Sequence, residues 1–492
     1  MRRMKQLKLV TSIALPILLG VALMAALVGR VAASPTLVLV SGPSPFTPGC
    51  EGVAQTGTNF LNAEVEPWMA VNPMHQNNFI GVWQQDRWSN GGAHGLVAGF
   101  SFNGGKTWGE TTLPFSKCAP GGVNYERASD PWVSIGPDGT AYAIAISFNN
   151  SNNNNAVVAA TSTDGGKTWG NVFQIITDNA PNFQFFNDKE SVTADPTTPG
   201  EAYAVWDRLE TPNGNPDANL HTAAFKGPTL FSKTTNGGQT WSAPRVIVDF
   251  GSSRKQTIGN QIVIDPRTGT LYNFFDLIVP PMSPSAFKLA FIKSTDDGDT
   301  WTAPQIIANI QTVGVFDPNT GELVRTSDII PEVAIDPATG QLYAVWQDSR
   351  FTGGEFDEVA LATSTDGGAT WSAPIRVNTN TPTTRPGFTP SIAVNAAGTV
   401  GVTFYDFRNL GSETATLPTD TWLVTSTNGG ASFGNEAHLA PSFDMKTAPF
   451  ARGFFVGDYE VLGTVGTTFV PFFVTANSGN TSSRTDVFAT TV

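Results

Sequence analysis

Acidic residues and arginines stand side by side at four places in this 492-residue chain: Asp86-Arg87, Asp207-Arg208, Asp348-Ser-Arg350 and Asp406-Phe-Arg408. A guanidinium is a planar, permanently charged fork that grips a carboxylate through two parallel, charge-assisted hydrogen bonds. Repeated pairs of this kind either clamp an anionic ligand or tie neighbouring elements together through buried bridges. A second set of polar residues does not repeat. It comprises Glu64 and Glu66; Tyr125, Glu126, Arg127 and Asp130; Asp188, Lys189 and Glu190; and Asn260 and Gln261. Further along come Arg325, Asp328 and Glu332, then Arg385, and last Arg452, Asp458, Tyr459 and Glu460. Repetition cannot explain these, so Arg127, Glu190, Arg452 and Tyr459 are stronger functional candidates than the four paired arginines. Carboxylates beside arginines and a tyrosine suit acid–base chemistry on a ligand rich in oxygen, given one carboxyl whose pKa is raised.

Both sets fall at the ends of short strands. One strand motif reads Glu66-Pro-Trp-Met-Ala-Val-Asn-Pro73, Asp130-Pro-Trp-Val-Ser-Ile-Gly-Pro137 and Glu190-Ser-Val-Thr-Ala-Asp-Pro196. It returns as Gln261-Ile-Val-Ile-Asp-Pro266, Pro331-Glu-Val-Ala-Ile-Asp-Pro337 and Pro390-Ser-Ile-Ala-Val-Asn395, with a seventh version at Phe455–Leu462. Each ends at a turn signal and is followed by an aromatic, β-branched strand such as Phe79-Ile-Gly-Val-Trp83 or Leu342-Tyr-Ala-Val-Trp346. A third strand then leads into an eight-residue box.

The boxes are Ser101-Phe-Asn-Gly-Gly-Lys-Thr-Trp108, Ser162-Thr-Asp-Gly-Gly-Lys-Thr-Trp169 and Thr234-Thr-Asn-Gly-Gly-Gln-Thr-Trp241. Three more are Ser294-Thr-Asp-Asp-Gly-Asp-Thr-Trp301, Ser364-Thr-Asp-Gly-Gly-Ala-Thr-Trp371 and Ser426-Thr-Asn-Gly-Gly-Ala-Ser-Phe433. They start 60 to 72 residues apart, a period that marks a repeat architecture. The glycines permit a tight hairpin, the Asp or Asn can fold back on backbone N–H groups, and the terminal aromatic can plug the space between sheets. The pattern predicts an all-β fold of four-stranded antiparallel meanders, a β-propeller. Seven blades are expected, with six blades and an irregular C-terminal extension as the alternative. In the seven-bladed reading the strand Thr36-Leu-Val-Leu-Val40 is the outer strand of the last blade and closes the ring. Antiparallel alternation puts the boxes on one face and the acid–arginine residues on the other, around the mouth of the central channel.

Composition narrows the function classes. Only 14% of residues are charged and the net charge is −13, without a basic tail, which argues against nucleic acid as partner. Met1-Arg-Arg-Met-Lys precedes an apolar stretch from Leu9 to Val28, and Val31-Ala-Ala33 offers a cleavage site before Ser34. Residues 1–33 read as an export signal, with a retained membrane anchor as the alternative. Residues 34–492 are then the propeller, a monomer working outside the cytoplasm, secreted or at the cell surface. Cys50 and Cys118 are the only cysteines, and in an exported chain such a pair is expected to be bridged. His75, His94, His221 and His438 show no zinc-type spacing, so no metal is expected among the site residues. A ring of carboxylates at the channel mouth is the one place suited to Ca2+.

The box Ser-X-Asp-X-Gly-X-Thr-Trp resembles the Asp-box, or bacterial neuraminidase repeat, of sialidases and other secreted propellers. The resemblance covers most of the mature chain and implies a sialidase-like glycoside hydrolase acting on a glycan or glycoconjugate. By that resemblance Arg87, Arg127, Arg208, Arg350, Arg408 and Arg452 are candidates to hold a substrate carboxylate. Asp130 would be the acid/base, and Tyr459 with Glu460 the nucleophile pair in place of the usual two-carboxylate scheme, with Glu190 a further catalytic candidate. The chain departs from the sialidase pattern in lacking Arg-Ile-Pro, whose place is taken by Glu66-Pro-Trp68. That departure favours the alternative, a non-catalytic propeller that binds glycan or protein.

Overall fold

Among the described residues most strands pair antiparallel with the next strand in sequence, and these pairings sort into blades. The computed structural model describes residues 36–152, 154–179, 185–210, 226–251, 253–280, 286–380 and 384–492. The apolar N-terminal stretch and His221 lie outside the described residues. Seven four-stranded antiparallel meanders follow one another, here numbered as blades 1 to 7. Their first strands are Glu64–Val71, Arg127–Ile135, Phe185–Ala194, Gln256–Asp265, Glu332–Ile335, Gly387–Val394 and Val461–Val465. Neighbouring first strands touch in that order, and the last touches the first. Val38–Leu39 supplies the outer strand of blade 7, with Val38 opposite Ala489 and Leu39 opposite Phe488. The second strands are apolar on both faces because each blade is packed on both sides, and Trp83, Trp206 and Trp346 on them are among the largest fully buried side chains.

The boxes connect the third and fourth strands of blades 1 to 6. In each, the first hydroxyl accepts from the backbone N–H of the second glycine position, as in Gly166 to Ser162 at 3.0 Å and Gly430 to Ser426 at 3.0 Å. The third residue accepts from the N–H four positions on, whether it is Asp164 or Asn103, both at 3.0 Å. Its second atom differs only in direction. Thr168 donates to Asp164 at 2.6 Å, whereas Asn103 donates to Thr107 at 2.8 Å. The box aromatic reaches the preceding blade: Trp301 packs on Phe231 at 5.6 Å, Trp371 on Phe291 at 5.8 Å and Trp108 on Phe472 of blade 7 at 5.7 Å. The boxes are therefore fasteners between blades.

The opposite face is shaped by bulges. The first strands of blades 1, 2, 3, 4 and 6 slip register between Val65 and Trp68, Ser129 and Trp132, Asp188 and Ser191, Ile258 and Gln261, and Phe388 and Ser391. At each slip one residue takes a left-handed conformation: Glu66 (φ 55), Asp130 (φ 56), Lys189 (φ 45), Gly259 (φ 70) and Thr389 (φ 46). A bulge re-aims the side chain it carries. Pro67, Pro131 and Pro390 follow three of these residues, where the ladder needs no N–H. In blade 7 Tyr459 stands two residues before Val461, as Glu66 stands two before Trp68.

Candidate functional site

Three of these bulge residues, Glu66 from blade 1, Asp130 from blade 2 and Lys189 from blade 3, meet Tyr459, which precedes the first strand of blade 7. Non-glycine residues held at positive φ carry strain of order 1–3 kcal/mol, which the surrounding ladder must hold in place. Trp68 and Trp132 stack with ring centroids 3.3 Å apart, and Tyr459 packs against Trp132 at 5.4 Å. The Lys189 ammonium lies 3.9 Å from the Tyr459 centroid and 4.4 Å from that of Trp132, an aromatic seat for a cation.

A hydrogen-bonded chain links the carboxyls. Arg87 Nη1 donates to Gln84 Oε1 at 2.6 Å, and Gln84 Nε2 donates to Glu66 and, at 3.0 Å, to Ser129 Oγ. Ser129 Oγ donates in turn to Asp130 Oδ1 at 2.7 Å. Arg325 grips Asp458 with both arms of its guanidinium, Nε to Oδ1 at 3.0 Å and Nη2 to Oδ2. The Phe455 ring lies beneath Arg325 at 4.4 Å and Arg87 at 4.9 Å. Exposed Arg452, held at φ 65, is close enough to feel the charges of Arg325, Asp188 and Asp458.

These surroundings push the acids apart. Burial, and then the charges of Asp130 and Asp458, hold the Glu66 carboxyl well above the usual carboxylate range. Asp130 is likewise raised by burial and by Asp188. Burial would raise Asp458 too, but the charge and bonds of Arg325 overcome it and keep that carboxyl below its ordinary value. Burial pushes the Tyr459 phenol well up, aided by the charges of Glu66, Asp130, Glu190 and Asp458. Such a split among neighbouring carboxyls separates a proton donor from a standing anion.

Of the residues expected from sequence, Arg87, Asp130, Glu190, Arg452 and Tyr459 belong to this cluster. Glu190 is fully buried, and burial followed by the charge of Asp130 raises it well above its usual range. The others are engaged elsewhere. Arg127 is fully buried and donates to Gln55 (2.8 Å), Asn90 (2.9 Å), Gly91 (2.7 Å) and Thr56 (2.9 Å) while stacked on Trp88. Arg208 pairs with Asp178 of blade 2, Arg350 with Asp348, and Arg408 with Asp406 and Glu436. The Glu460 carboxyl runs to Tyr405 and Thr403, whereas the Tyr459 hydroxyl donates to the Pro131 carbonyl at 3.4 Å, so the two do not form a bonded pair. Tyr125 reaches Gln174 at 3.5 Å, and Glu126 holds Gln55 and the backbone of Asn150 and Ser151.

The four acid–arginine pairs are also not at equivalent positions. Pairing of Glu332 with Val345 and Ser391 with Thr403 aligns Asp348 with Asp406, but Ser191 with Val205 puts Arg208 there, and Trp68 with Val82 puts Gln85 there. Arg325, Asp458, Glu66 and Lys189 are the site residues that sequence reasoning placed on the rim without assigning a role. Glu66 and Lys189 share a positional signal, a polar residue two before the point where the first-strand ladder resumes at Trp68 and Ser191, whereas Arg325 and Asp458 have none.

Among protein families, residues 200–328 match the BNR repeat-like domain. Its architecture is that of an Asp-box β-propeller. No curated protein matches the sequence. Among solved structures the chain is similar to an α-L-arabinofuranosidase from Fusarium graminearum bound to an iminosugar inhibitor, at 14% identity and TM-score 0.46, over 75% of this chain and 92% of that one. An α-L-arabinanase from Penicillium chrysogenum with arabinobiose matches at 12% identity and TM-score 0.45, over 92% and 98%. A leech intramolecular trans-sialidase matches at 13% identity and TM-score 0.42, over 90% and 70%.

Proposed function

We propose that the protein is an exported glycoside hydrolase that cleaves glycans at the channel mouth, with Asp130 as general acid and Asp458 as the standing carboxylate. The observation that carries this reading is the pair of half-buried carboxyls with opposite environments, Asp130 raised above its ordinary value by burial and by Asp188, and Asp458 held below its ordinary value by Arg325. Asp130 uses one oxygen to accept from Ser129, leaving the other to hold the proton for a leaving oxygen. Asp458 then faces the positive charge that develops on the sugar as the bond breaks. Tyr459 is a poorer anion than Asp458, because its phenol is buried and ringed by carboxylates. The exposed Arg452 near Arg325, which in turn lies near Arg87, favours a sugar that carries a carboxylate, and so a sialidase-like specificity.

Incubation of the secreted protein with a fluorogenic sialoside and a panel of neutral glycosides tests this. Turnover is expected, with Asp130→Asn lowering kcat by about 10²–10⁴-fold at unchanged thermal midpoint. Turnover should also fall as the pH rises through the raised pKa of Asp130. Cleavage of neutral glycosides alone would remove the acidic-sugar specificity. Silence across the panel, with binding to a glycan array retained, would leave a glycan-binding propeller instead.

A further inference from the structure

Between the outer strand of blade 7 and the first strand of blade 1, residues 41–62 form a strap along blades 1 and 2. Ser44 Oγ and the Asn62 N–H donate to Asp86, the latter at 2.8 Å, while Gln55 and Thr56 receive Arg127. Cys50 is joined to Cys118 in a disulfide, with Cα atoms 4.9 Å apart. The next residue, Glu51, is buried against His94 Nε2 at 2.9 Å, and the other ring nitrogen of His94 meets Asp86 at 3.0 Å. The ligand atoms of Cys50, Glu51 and His94 all lie within 4.8 Å of one another, and among the described residues no other group of three such side chains does so. Cys118 Sγ, bonded to Cys50 Sγ, is necessarily at the same spot.

We infer that this cluster is a redox-gated zinc site: with the Cys50–Cys118 bond reduced, both thiolates, the Glu51 carboxylate and His94 Nε2 take up one Zn2+. Two sulfurs, one nitrogen and one oxygen form a ligand set typical of a closed tetrahedral site. Bond lengths of about 2.3 Å to sulfur and 2.0 Å to nitrogen or oxygen space such ligands roughly 3.3–3.8 Å apart. The two sulfurs, bonded at about 2.05 Å in the disulfide, must therefore separate by roughly 2 Å once reduced, while the Cys50, Glu51 and His94 ligand atoms, already within 4.8 Å of one another, need smaller shifts. Asp86 is already where a zinc-binding histidine needs its outer carboxylate, on the ring nitrogen that faces away from the metal. Asp86 is itself held by Asn62, Ser44 and, through its carbonyl, Asn59.

The redox step is balanced by a dithiol reductant. It supplies two electrons and two protons, the S–S bond breaks to two thiols, and the reductant closes to its own disulfide. Zinc then displaces the two thiol protons and the proton that His94 Nε2 holds toward Glu51, leaving the imidazole neutral with its Nδ1–H on Asp86. Cys50 and Cys118 are each half-buried, so the bond can be reached. The strap stays tied in both states, covalently when oxidised and through the metal when reduced.

The full chain, reduced with dithiothreitol and desalted under argon, is titrated with Co2+ and then Zn2+. A single equivalent of Co2+ should give thiolate-to-cobalt charge-transfer absorption and the visible bands of a tetrahedral ion, both removed by Zn2+ and absent from the oxidised chain. Asp86→Asn should weaken binding about 10–100-fold, and Glu51→Gln and His94→Gln more. Three results would overturn the inference: a reduced chain with native circular dichroism and no cobalt bands, bands unchanged in Glu51→Gln and His94→Gln, or loss of the native fold on reduction that Zn2+ does not prevent.

Discussion

Asp458 and Glu66 sit one blade apart and are driven in opposite directions by what lies against them. Asp458 is clasped by Arg325, whereas Glu66 is hydrogen-bonded to neutral Gln84 and faces two other carboxyls. Removing Arg325 therefore does more than delete a pair, because it leaves Asp458 as a charge without its cation, with only Ser327 and Glu66 still bonded to it. Arg325→Met should cost about 2–3 kcal/mol, somewhat under the 3–5 typical of a dry pair, since the Arg325 side chain is 24% exposed. The pH dependence distinguishes this from lost packing. Asp458 is held below its ordinary value, so its stabilising effect is present above about pH 4 and lost as the pH falls through its depressed folded value. Denaturant titrations of wild type and Arg325→Met should thus differ at pH 7 and converge as the pH falls below about 4. A gap that stays constant below that pH would assign the loss to packing on Phe455.

At the scale of the element, the box is a turn whose second glycine has two separate demands. Gly368 has φ +83, and a Cβ there would come within 2.5 Å of the Phe291 ring on the preceding blade. Gly368→Ala should destabilise by about 2–4 kcal/mol, combining overpacking with a strained left-handed residue. Gly237 has nearly the same φ, +71, with nothing near its Cβ position, so Gly237→Ala carries only the backbone strain and is the control. Asp164→Asn should leave the thermal midpoint nearly unchanged, because Asn103 and Asn428 perform the same turn, whereas Asp164→Ala should lower it. This element was legible from sequence since the chemistry of its first and third side chains is local, their partners lying within four residues. The bulges were not, because Glu66-Pro-Trp68 and Asp188-Lys-Glu190 look unlike and acquire a common shape only when paired with the second strand. For the same reason the acid–arginine pairs seemed equivalent in sequence, where register cannot be seen. Arg127 looked functional because it is unrepeated, but its partners Gln55, Thr56 and Asn90 are brought to it by the strap and a neighbouring turn. The cluster of Cys50, Glu51, His94 and Asp86 has no motif spacing at all.

On the scale of the whole molecule, the blades place one first strand each around a shared axis, and that geometry concentrates acids where water cannot reach them. Glu190, Glu332 and Glu460 come from blades 3, 5 and 7, and each is at most 4% exposed. Glu332 accepts from Gln261 at 3.0 Å, and burial pushes both Glu332 and Glu460 up to about 8. A carboxyl whose folded pKa lies above its unfolded value of about 4.3 stabilises the fold as the neutral acid. Its contribution is complete below the unfolded value and is lost as the pH rises through about 8, where the buried group must ionise. The propeller should therefore be more stable to denaturant at pH 5 than at pH 9. Replacing the two acids by their neutral isosteres, Glu332→Gln with Glu460→Gln, removes the ionisation and keeps the shape. That double variant should show a flatter stability profile between pH 5 and pH 9 and exceed the wild type at the alkaline end. An unchanged slope would mean that these glutamates remain ionised throughout, with cations or water supplying the compensation inside the channel.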